Sequence, residues 1–550
     1  MQLNNAIKKI LEQRGISAAN EVAEFLSEKP QMTYDPFLLL NMEEGVDLVL
    51  SSIDEGKKIC IYGDYDSDGV TSVVLMKDVL TEIGADVISY IPSRFDDGYG
   101  LNKNALSKIK DSGAELVITV DCGCTSVDEV EYAKSIGLDV LITDHHTLKD
   151  KKPDCILIDP MQIECQYPFK SLAGVGVAFK FAQALIESTG YPKEILTRNL
   201  DLVGIGTIVD IVPLINENRT LAKYGLRSLN ITERPGLRAL FGKLGIKMGE
   251  IDSRTISFIV GPHINAAGRV DNASIAVKLL QTKDHEKARI LADKLIECNA
   301  ERKRLQEELQ NFCDGEINPE KVTEDKFIMV SPKDAHEGII GIVAGKLKEE
   351  YSVPTLITTP IGDGEHKGTG RSPSGINLFN LLTGHSELFT RLGGHSAACG
   401  FSIMEDKLED LKAAISEDIK TLFRDNPDAF KNEVQPEIII DPQDVNMAFI
   451  EDQNKLEPFG KDNDKPVVGV IIAPKEIARM GDGRFLRFSG TMRDGNVLRG
   501  VDFRKADAHE HILRSAENAQ REVLAIGYLD SQVWNDKEYI QINIKSIRSI

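Results

Sequence analysis

Between residues 55 and 160, short apolar runs alternate with segments whose apolar residues have helical spacing, such as 72–83 and 126–136. Three of the apolar runs are continuous, which is typical of parallel strands buried on both faces. The runs predict strands at 58–63, 86–91, 115–120, 139–143 and 155–158. This alternation of strand and helix predicts a doubly wound α/β domain.

The remaining sequence shows other patterns. Helical spacing recurs in 1–45 and 171–230, and the long charged stretch 271–316 predicts a helix that connects two domains. A second α/β unit is expected near 325–425, with strands at 326–330 and 355–358. Beyond residue 430, short β-rich segments separated by turn residues predict a small barrel, with strands at 437–440, 466–472, 485–489, 523–529 and 539–544. The predicted domains are 1–45 (helical), 46–230 (first α/β), 231–320 (helical connector), 321–430 (second α/β) and 431–550 (barrel).

Length and composition narrow the class of protein. A chain of 550 residues is long enough for several domains, and 42% hydrophobic with 27% charged residues is ordinary globular composition. The formal net charge of −21 argues against a protein that coats nucleic acid by bulk attraction. It leaves room for a local basic track and for a carboxylate cluster that binds cations.

Cysteine usage and the absence of long apolar runs point to the cytoplasm. The 8 cysteines are sparse and form no C-x-x-C pair, so they predict reduced thiols, with Cys122 as a small buried filler beside Cys124. No apolar run is long enough to cross a bilayer, and residues 1–5 lack the features of a signal peptide. We therefore expect a cytoplasmic protein with no membrane contact.

Acidic residues follow the first predicted strand. Asp64, Asp66 and Asp68 come directly after 58–63, and an extended backbone at this spacing would place all three carboxylates on one face. Taken singly, such aspartates are most often turn residues or helix caps. A calcium loop of the EF-hand type is excluded, because Leu75 stands where that loop needs a glutamate.

The same pattern recurs at later predicted strand ends. Asp121 follows 115–120, Asp144, His145 and His146 follow 139–143, and a further apolar stretch ends at Asp210. The carboxyl ends of parallel strands meet at one edge of the sheet, where ligands bind. Carboxylates with one or two imidazoles suit Mn²⁺ or Mg²⁺, and two such ions catalyse phosphoryl displacement. We therefore expect a site for two ions at this edge.

Residues 63–69, 120–123, 144–146 and 206–210 resemble the four motifs of the DHH phosphoesterase superfamily. Further motifs, in the same order along nearly the whole chain, resemble the RecJ family. They lie at 35–37, 92–94, 98–100, 174–176, 265–269, 338–344, 370–372, 393–397 and 456–460. The sequence departs from that family at His263, where arginine is usual, at Cys399 and at 463–464.

The resemblance implies a fold, an activity and a set of site residues. The fold would be a DHH domain, a long connecting helix, a DHH-associated substrate domain and an OB-like barrel. The activity would be 5′→3′ exonuclease action on single-stranded DNA in repair and recombination. Asp121 would bridge the two ions, and Asp144 would orient the histidine pair. His146 would contact either the scissile phosphate or one of the metal ligands. The implied metal ligands are Asp64, Asp66, Asp68, Asp121, His145 and Asp210.

Residues outside the metal site are candidates for binding the substrate. Gly368, Gly370, Arg371 and Ser372 combine flexible backbone with groups that suit a terminal phosphate. The alternative is that the glycines only form turns and that Arg371 is solvated. With the resemblance, the candidate phosphate contacts are Arg94, Arg269, Arg371, Ser372 and His395.

The segment 479–505 carries seven basic and three acidic residues in an otherwise acidic chain. Phe485, Phe488 and Phe503 lie among the basic residues, a combination that binds single strands without sequence preference. The alternative is that the phenylalanines form the barrel core, and at most one of Phe485 and Phe488 can face outward. Arg484 and Arg487 are the stronger candidates for contacts with the strand.

Two other functions remain open at the level of sequence. One is a DHH-family phosphodiesterase for short oligonucleotides or cyclic dinucleotides, although such enzymes usually lack the connecting helix and the barrel. The other is a non-catalytic replication scaffold, although all the implied ligands are present. The expected partners are single-stranded DNA and a helicase or single-strand-binding protein that supplies it.

Overall fold

Five parallel strands form the first sheet of the computed structural model, which describes residues 3–94, 100–430, 433–503, 506–534 and 537–550. The strands are β1 (Lys58–Gly63), β2 (Asp86–Tyr90), β3 (Leu116–Val120), β4 (Asp139–Thr143) and β5 (Ile156–Ile158). They lie in the order β2-β1-β3-β4-β5, and every pair is parallel. β3 is buried along its whole length, as expected for a strand covered on both faces. The predicted parallel α/β domain is confirmed.

The helices in the first part of the chain cover this sheet, form the connector or, at the start of the chain, pack on the C-terminal barrel. They are α1 (Asn5–Gln13), α2 (Ala19–Leu26), α3 (Met42–Asp54), α4 (Ser67–Glu82), α5 (Lys103–Asp111), α6 (Val127–Ser135), α7 (Gly174–Thr189), α8 (Glu194–Thr197), α9 (Leu200–Val209), α10 (Asn216–Asn230), α11 (Pro235–Leu244), α12 (Ser253–Thr255), α13 (Gly261–Val270), α14 (Ser274–Gln281) and α15 (His285–Glu316). The predicted connecting helix is divided, because α14 ends before the 32-residue α15 begins at an Asp284 cap. Within the described residues, no helix is both long and apolar enough to cross a membrane.

The interpretation of Asp210 as a further strand end is wrong, whereas the helices predicted across 171–230 are confirmed. This apolar stretch forms α9, and Asp210 follows its last turn. A run that is apolar on all sides is also typical of a helix buried on all sides, so the pattern alone does not distinguish the two. Here the helix is favoured by a close helix–helix contact: a Cβ on Gly204 would lie only 2.7 Å from the Cα of Gly225 on α10.

The prediction that three aspartates share one extended face is also wrong. The backbone turns into α4 at Ser67, so Asp66 becomes the helix cap and Asp68 lies in the first helical turn. Aspartate is among the preferred N-cap residues, because its carboxylate accepts from the free amides of the first turn. Because the helix begins between them, the side chains of Asp64, Asp66 and Asp68 do not project from one face of an extended strand.

A buried ion pair joins α7 and α10 beneath the first sheet. Lys180 Nζ lies 3.0 Å from Glu217 Oε1, and both side chains are completely buried. Tyr167 Oη and Thr33 Oγ1 also donate to the Glu217 carboxylate, and Lys180 donates to the Tyr34 carbonyl. Every charge in this cluster therefore has several partners.

Glu217→Ala should destabilise the protein by about 3–5 kcal/mol, because it leaves Lys180 charged and unpaired in the core. Thermal denaturation of the purified variant measures the loss. A double replacement, Lys180→Met with Glu217→Leu, should recover much of the stability, since two apolar side chains leave no buried charge. A double variant less stable than Glu217→Ala would contradict this account.

The second sheet is mixed. Its strands are β6 (Ile328–Val330), β7 (Thr355–Gly362), β8 (Glu365–Arg371), β9 (Phe389–His395) and β10 (Ala398–Met404). They lie in the order β6-β7-β8-β10-β9, and only β6 and β7 are parallel. The helices of this domain are α16 (Pro319–Asp325), α17 (Ile340–Tyr351), α18 (Leu378–Thr383) and α19 (Leu408–Asp425).

The third sheet closes on itself as a barrel. Its strands are β11 (Ile438–Ile439), β12 (Val468–Met480), β13 (Phe485–Thr491), β14 (Val497–Asp502), β15 (Val523–Trp534) and β16 (Lys537–Ser549), with helices α20 (Met447–Asn454) and α21 (Ala506–Asn518). The order is β11-β12-β13-β14-β16-β15, and β12 also pairs with β15, which closes the barrel. The predicted barrel is confirmed, although its strand β14 has no counterpart among the predicted strands. Ile7, Ile10 and Leu11 of α1 pack into the barrel core.

Candidate metal centre and substrate contacts

Acids and histidines converge at the carboxyl edge of the first sheet. Asp64 follows β1, Asp121 follows β3 and His145 follows β4. Asp68 reaches the same place from α4, and Asp210 reaches it from the end of α9. This is the edge at which open α/β sheets bind ligands.

Among the clusters that the described acids and histidines form, two meet at Asp121, and another joins Asp121 and His145 to Asp144 and His146. Ligand atoms of Asp64, Asp66 and Asp121 all lie within 4.8 Å of one another, and so do those of Asp68, His145 and Asp210. His145 Nε2 is 3.1 Å from Asp121 Oδ1, 3.8 Å from Asp210 Oδ2 and 4.0 Å from Asp68 Oδ2. Asp121 is therefore within reach of both groups.

The start of α7 fixes the Asp68 carboxylate. The backbone amides of Gly174 and Val175 donate to its two oxygens at 2.7 and 2.8 Å. Residue 174 must be glycine, because a Cβ there would lie 2.5 Å from Asp121 Oδ1. The sequence does not reveal this role of residues 174–176, since it shows only glycines near a helix start.

A second anchor holds the start of α4. Asn265 Oδ1 accepts from both the backbone amide and the hydroxyl of Ser67, each at 2.7 Å. Asp66 Oδ1 accepts from the amides of Asp68 and Gly69 at 3.0 and 3.1 Å. Asn265 lies far away in sequence, within the motif 265–269, and was not among the predicted site residues.

Asp144 faces His146. Its Oδ1 lies 2.7 Å from His146 Nδ1, and its carboxylate also accepts from the backbone amides of His145 and Cys124. Burial would raise the pKa of Asp144, but the hydrogen bond and charge of His146 outweigh it and lower that pKa. Burial lowers the pKa of His146, and the hydrogen bond to Asp144 more than reverses this, to about 9. The contact with Asp144 therefore favours the protonated form of His146.

Electrostatic crowding marks the centre as a cation site. Burial first, and then Asp66, raise the pKa of Asp64 to about 8, while burial and Asp68 raise that of Asp210 to about 8. Asp64 Oδ1 and His145 Nε2 are buried, with no hydrogen-bond partner among the described residues. Carboxylate oxygens and one imidazole nitrogen are a donor set that fits Mn²⁺ or Mg²⁺. The residues present therefore fit the predicted ions.

Two of the predicted phosphate contacts lie beside this centre. The Arg94 guanidinium stacks 4.0 Å from the ring centroid of Tyr65, next to Asp64, and its Nε donates to the Gly268 carbonyl at 3.1 Å. Arg269 donates to the Gly338 carbonyl at 3.1 Å. Within the described ranges, neither arginine forms an ion pair with a carboxylate. Residues 98 and 99 of the predicted motif fall outside the described ranges.

The second sheet brings together Arg371 and His395. Ala398 of β10 pairs with Arg371 of β8 on one side and with His395 of β9 on the other, so the three form one row. Ser372 is buried beside them, and its hydroxyl has no partner among the described residues. Burial lowers the pKa of Arg371, and burial followed by Arg371 lowers that of His395.

The glycines of this strand have another role than the predicted one. A Cβ on Gly368 would lie 2.2 Å from the Phe401 ring, and one on Gly370 would lie 2.6 Å from Leu378. Both glycines lie within strand β8 and make room for apolar side chains, so the alternative that they only form turns is wrong.

The barrel presents part of the predicted basic segment. Arg484 and Arg487 are exposed, with no ion pair to a carboxylate among the described residues. Phe488 is buried and Phe485 half-buried against Phe503, which confirms that only one of the first two faces outward.

Two other arginines of this segment form ion pairs, whereas Arg499 is exposed and lies over the Tyr539 ring. Arg493 pairs with Glu522 at 2.7 Å, and Arg479 pairs with Asp507 and Glu510. Residues 504 and 505, also counted in the basic segment, lie outside the described part of the chain.

Family models match each part of this architecture. The DHH family, N-terminal domain, matches residues 58–207, the DHHA1 domain matches 324–421 and the RecJ OB domain matches 437–546. The first match contains the parallel sheet and the acids at its carboxyl edge except Asp210, which lies just beyond it. The fold is therefore that of the DHH class.

Individual relatives narrow this class. A *Bacillus subtilis* protein named single-stranded-DNA-specific exonuclease RecJ is 35% identical over 99% of this chain and 68% of its own length. The *Escherichia coli* protein of the same name is 30% identical, over 99% of this chain and 96% of its own length. RecJ from *Thermus thermophilus*, solved in complex with Mn²⁺, covers 100% of this chain and 79% of its own with a TM-score of 0.81 at 26% identity. The chain belongs to the RecJ family, as its motifs predict.

Proposed function

We propose that this protein is a metal-dependent exonuclease that hydrolyses single-stranded DNA from the 5′ end to mononucleotides, in DNA repair and recombination. The observation that carries the proposal is the pair of ligand groups that meet at Asp121. Its relatives support the substrate, since they are named single-stranded-DNA-specific exonucleases, and the *Thermus thermophilus* enzyme was solved with Mn²⁺.

Six side chains would hold two Mn²⁺ or Mg²⁺ ions. When bound, such ions lower the pKa of water to make a nucleophile and stabilise the charge on the attacking and leaving oxygens. Asp121 would be shared between the two groups, because it lies within reach of both. The proposed ligands are Asp64, Asp66, Asp68, Asp121, His145 and Asp210.

The histidine beside the ligands would act on the substrate itself. Asp144 holds the proton on His146 Nδ1, which leaves Nε2 to donate its own proton in a hydrogen bond. A protonated imidazole is suited to bind a non-bridging oxygen of the scissile phosphate and to stabilise the charge that develops there. Asp144 is then a positioning residue.

Three sites would divide the work of holding the strand. Arg371, Ser372 and His395 would bind the 5′-terminal phosphate, while Arg94 and Arg269 would hold the backbone beside the metal centre. The barrel would bind the strand further along through Arg484 and Arg487. In this proposal the first α/β domain (46–230) carries the chemistry, the second (321–430) recognises the end, and the barrel (431–550) retains the strand.

Arg484→Ala combined with Arg487→Ala should weaken binding of long oligonucleotides, because both arginines are exposed and free of carboxylate partners among the described residues. Losing two phosphate contacts should reduce the slope of log affinity against log salt concentration by about 1.4. Fluorescence anisotropy across a salt series measures both. Arg493→Ala is the matched control, because that arginine is paired with Glu522. If the variant lost affinity equally for very short and for long strands, binding of the strand by the barrel would be contradicted.

Timed digestion of an oligonucleotide labelled at each end in turn tests the function. A 5′ label should appear at once in mononucleotides, whereas a 3′ label should stay on a shortening ladder. Early release of the 3′ label would overturn the polarity. Activity confined to the shortest substrates or to cyclic dinucleotides would favour a phosphodiesterase, and no metal-dependent hydrolysis of any strand would favour a scaffold.

The proposed substrate also defines the cellular setting. A single-strand exonuclease needs a partner that exposes or presents the strand, so we propose that a helicase or a single-strand-binding protein supplies it in the cytoplasm. Co-sedimentation of the full chain with single-stranded DNA coated by its binding protein tests this partnership.

A further inference from the structure

A line of hydrogen bonds joins α13 to the connecting helix α15. His263 Nδ1 lies 2.7 Å from the Ile259 carbonyl, and His263 Nε2 lies 2.9 Å from Asn299 Nδ2. Asn299 Oδ1 then accepts from Arg302 Nε at 3.0 Å. His263 and Asn299 are both buried, so solvent does not compete for these bonds.

The chemistry of arginine decides where each proton lies. A guanidinium only donates, so the oxygen of the Asn299 amide must face Arg302 and its nitrogen must face His263. Because that nitrogen also only donates, His263 Nε2 must be an unprotonated acceptor, and Nδ1 carries the proton given to Ile259. Burial, opposed by the bond to Ile259 and aided by the nearby charges of Lys303 and Arg302, lowers the pKa of His263. His263 is therefore neutral.

Arg302 lies near Arg269, which also feels the charge of Arg94. Burial first, and then Arg94 and Arg302, lower the pKa of Arg269 to about 10, although Asp66 opposes them. Arg302 Nη1 also donates to the uncharged Gln306 side chain, at 2.9 Å. In the described ranges, none of the three guanidiniums forms an ion pair with a carboxylate. A cluster of three such groups in a protein of net charge −21 is suited to bind an anion.

We propose that His263 and Asn299 position Arg302 as a third phosphate-binding guanidinium, which acts with Arg94 and Arg269 on the backbone of the strand. This rests on the proposed function, because the phosphate is taken to belong to the DNA strand. Arg302 is the contact residue, and His263 is a positioning residue that acts through Asn299. The neutral imidazole supplies the acceptor that turns the Asn299 oxygen toward Arg302.

Binding without hydrolysis tests the contact. In EDTA, Arg302→Ala should bind a fluorescent single-stranded oligonucleotide at least about tenfold more weakly, the scale of one charge-assisted hydrogen bond. The salt slope should fall by about 0.7, as for the loss of one phosphate contact. With Mn²⁺, KM should rise while kcat at saturating strand stays close to wild type. Arg304→Ala is the matched control, since Arg304 lies on the same helix but is paired with Glu301 and Glu308.

The role of His263 is tested by pH. His263→Gln keeps a neutral acceptor, so its binding should match wild type near pH 7.5. As the pH falls below the lowered pKa of His263, protonation in wild type removes the acceptor, and wild-type binding should fall relative to the Gln variant. If the added positive charge beside Arg302 and Lys303 acted only by attracting DNA, wild-type affinity would instead rise relative to that of the Gln variant. That result would show the proposal to be wrong.

The outcomes separate this proposal from the proposed function. If wild type neither binds nor hydrolyses single strands, the proposed function fails. If wild type binds and Arg302→Ala binds equally well with an unchanged salt slope, only the assignment of Arg302 fails. A weaker Arg302→Ala complex with an unchanged slope and a lowered melting temperature would show a structural role and also overturn the assignment.

Discussion

Asp121→Asn is expected to abolish hydrolysis of single-stranded DNA. Asp121 is the carboxylate that lies within reach of both ligand groups, so its loss disturbs both proposed ions at once. The rate should fall by about 100- to 1,000-fold, the scale on which removal of one charge-stabilising group acts in enzymes. Quantitation of mononucleotide release in Mn²⁺ and in Mg²⁺ measures the effect.

Asparagine is the right replacement at this position. Asp121 has a φ of 61°, a left-handed conformation that asparagine tolerates better than alanine. Burial first, and then Asp68 and Asp66, raise the pKa of Asp121, so a neutral side chain relieves repulsion and the melting temperature in EDTA should not fall. Asp139→Asn, at the opposite end of β4, is the control and should keep full activity. Near-normal rates for Asp121→Asn would refute the shared-ligand assignment.

Arg371→Ala should remove most of the preference for a 5′-phosphorylated strand over a 5′-hydroxyl strand. A terminal phosphate carries an additional negative oxygen. A guanidinium can donate a charge-assisted hydrogen bond to this oxygen, worth roughly 1.5–3 kcal/mol. The loss should appear chiefly in KM, because the contact is made to a group that does not react. Kinetics with matched strands that differ only at the 5′ end measure it.

The structure supplies a control for this experiment. Arg391 is an exposed cation on β9 of the same sheet, and Arg391→Ala should leave the preference for the 5′ phosphate intact. A rate that depends on phosphorylation of the 3′ end would overturn both the end-binding site and the polarity. An equal loss of kcat/KM on the 5′-phosphorylated and the 5′-hydroxyl strand would show that Arg371 contributes to general strand binding and not to recognition of the end.

Much of the first domain follows from local pattern. β1 and β4 begin and end where their apolar runs predict, because a buried parallel strand needs apolar residues at nearly every position. The acids after β1, β3 and β4 then meet at one edge, since parallel strands share a direction. The sequence alone therefore located Asp64, Asp121 and His145.

Other parts of the site depend on contacts between distant segments. Asp210 is brought to the centre by a helix, because close packing of Gly204 on Gly225 favours a helix where the apolar pattern allows either structure. The amides of Gly174 and Val175 hold Asp68 across 106 and 107 residues of chain, and a free helix start carries no mark of what it binds. Asn265 anchors Ser67 in the same way.

The sequence by itself determined the family, the parallel sheet and the chemical nature of the ligands, because these depend on residue type and spacing along the chain. Only the tertiary structure decided which carboxylates share a group, which arginines lack an acidic partner, and which glycines serve packing. Phe488 enters the barrel core and Arg493 pairs with Glu522, although both lie in the same basic segment as Arg487. The physical reason is that a charge or a ring acquires its role from its neighbours in space, and those neighbours come from other strands and helices.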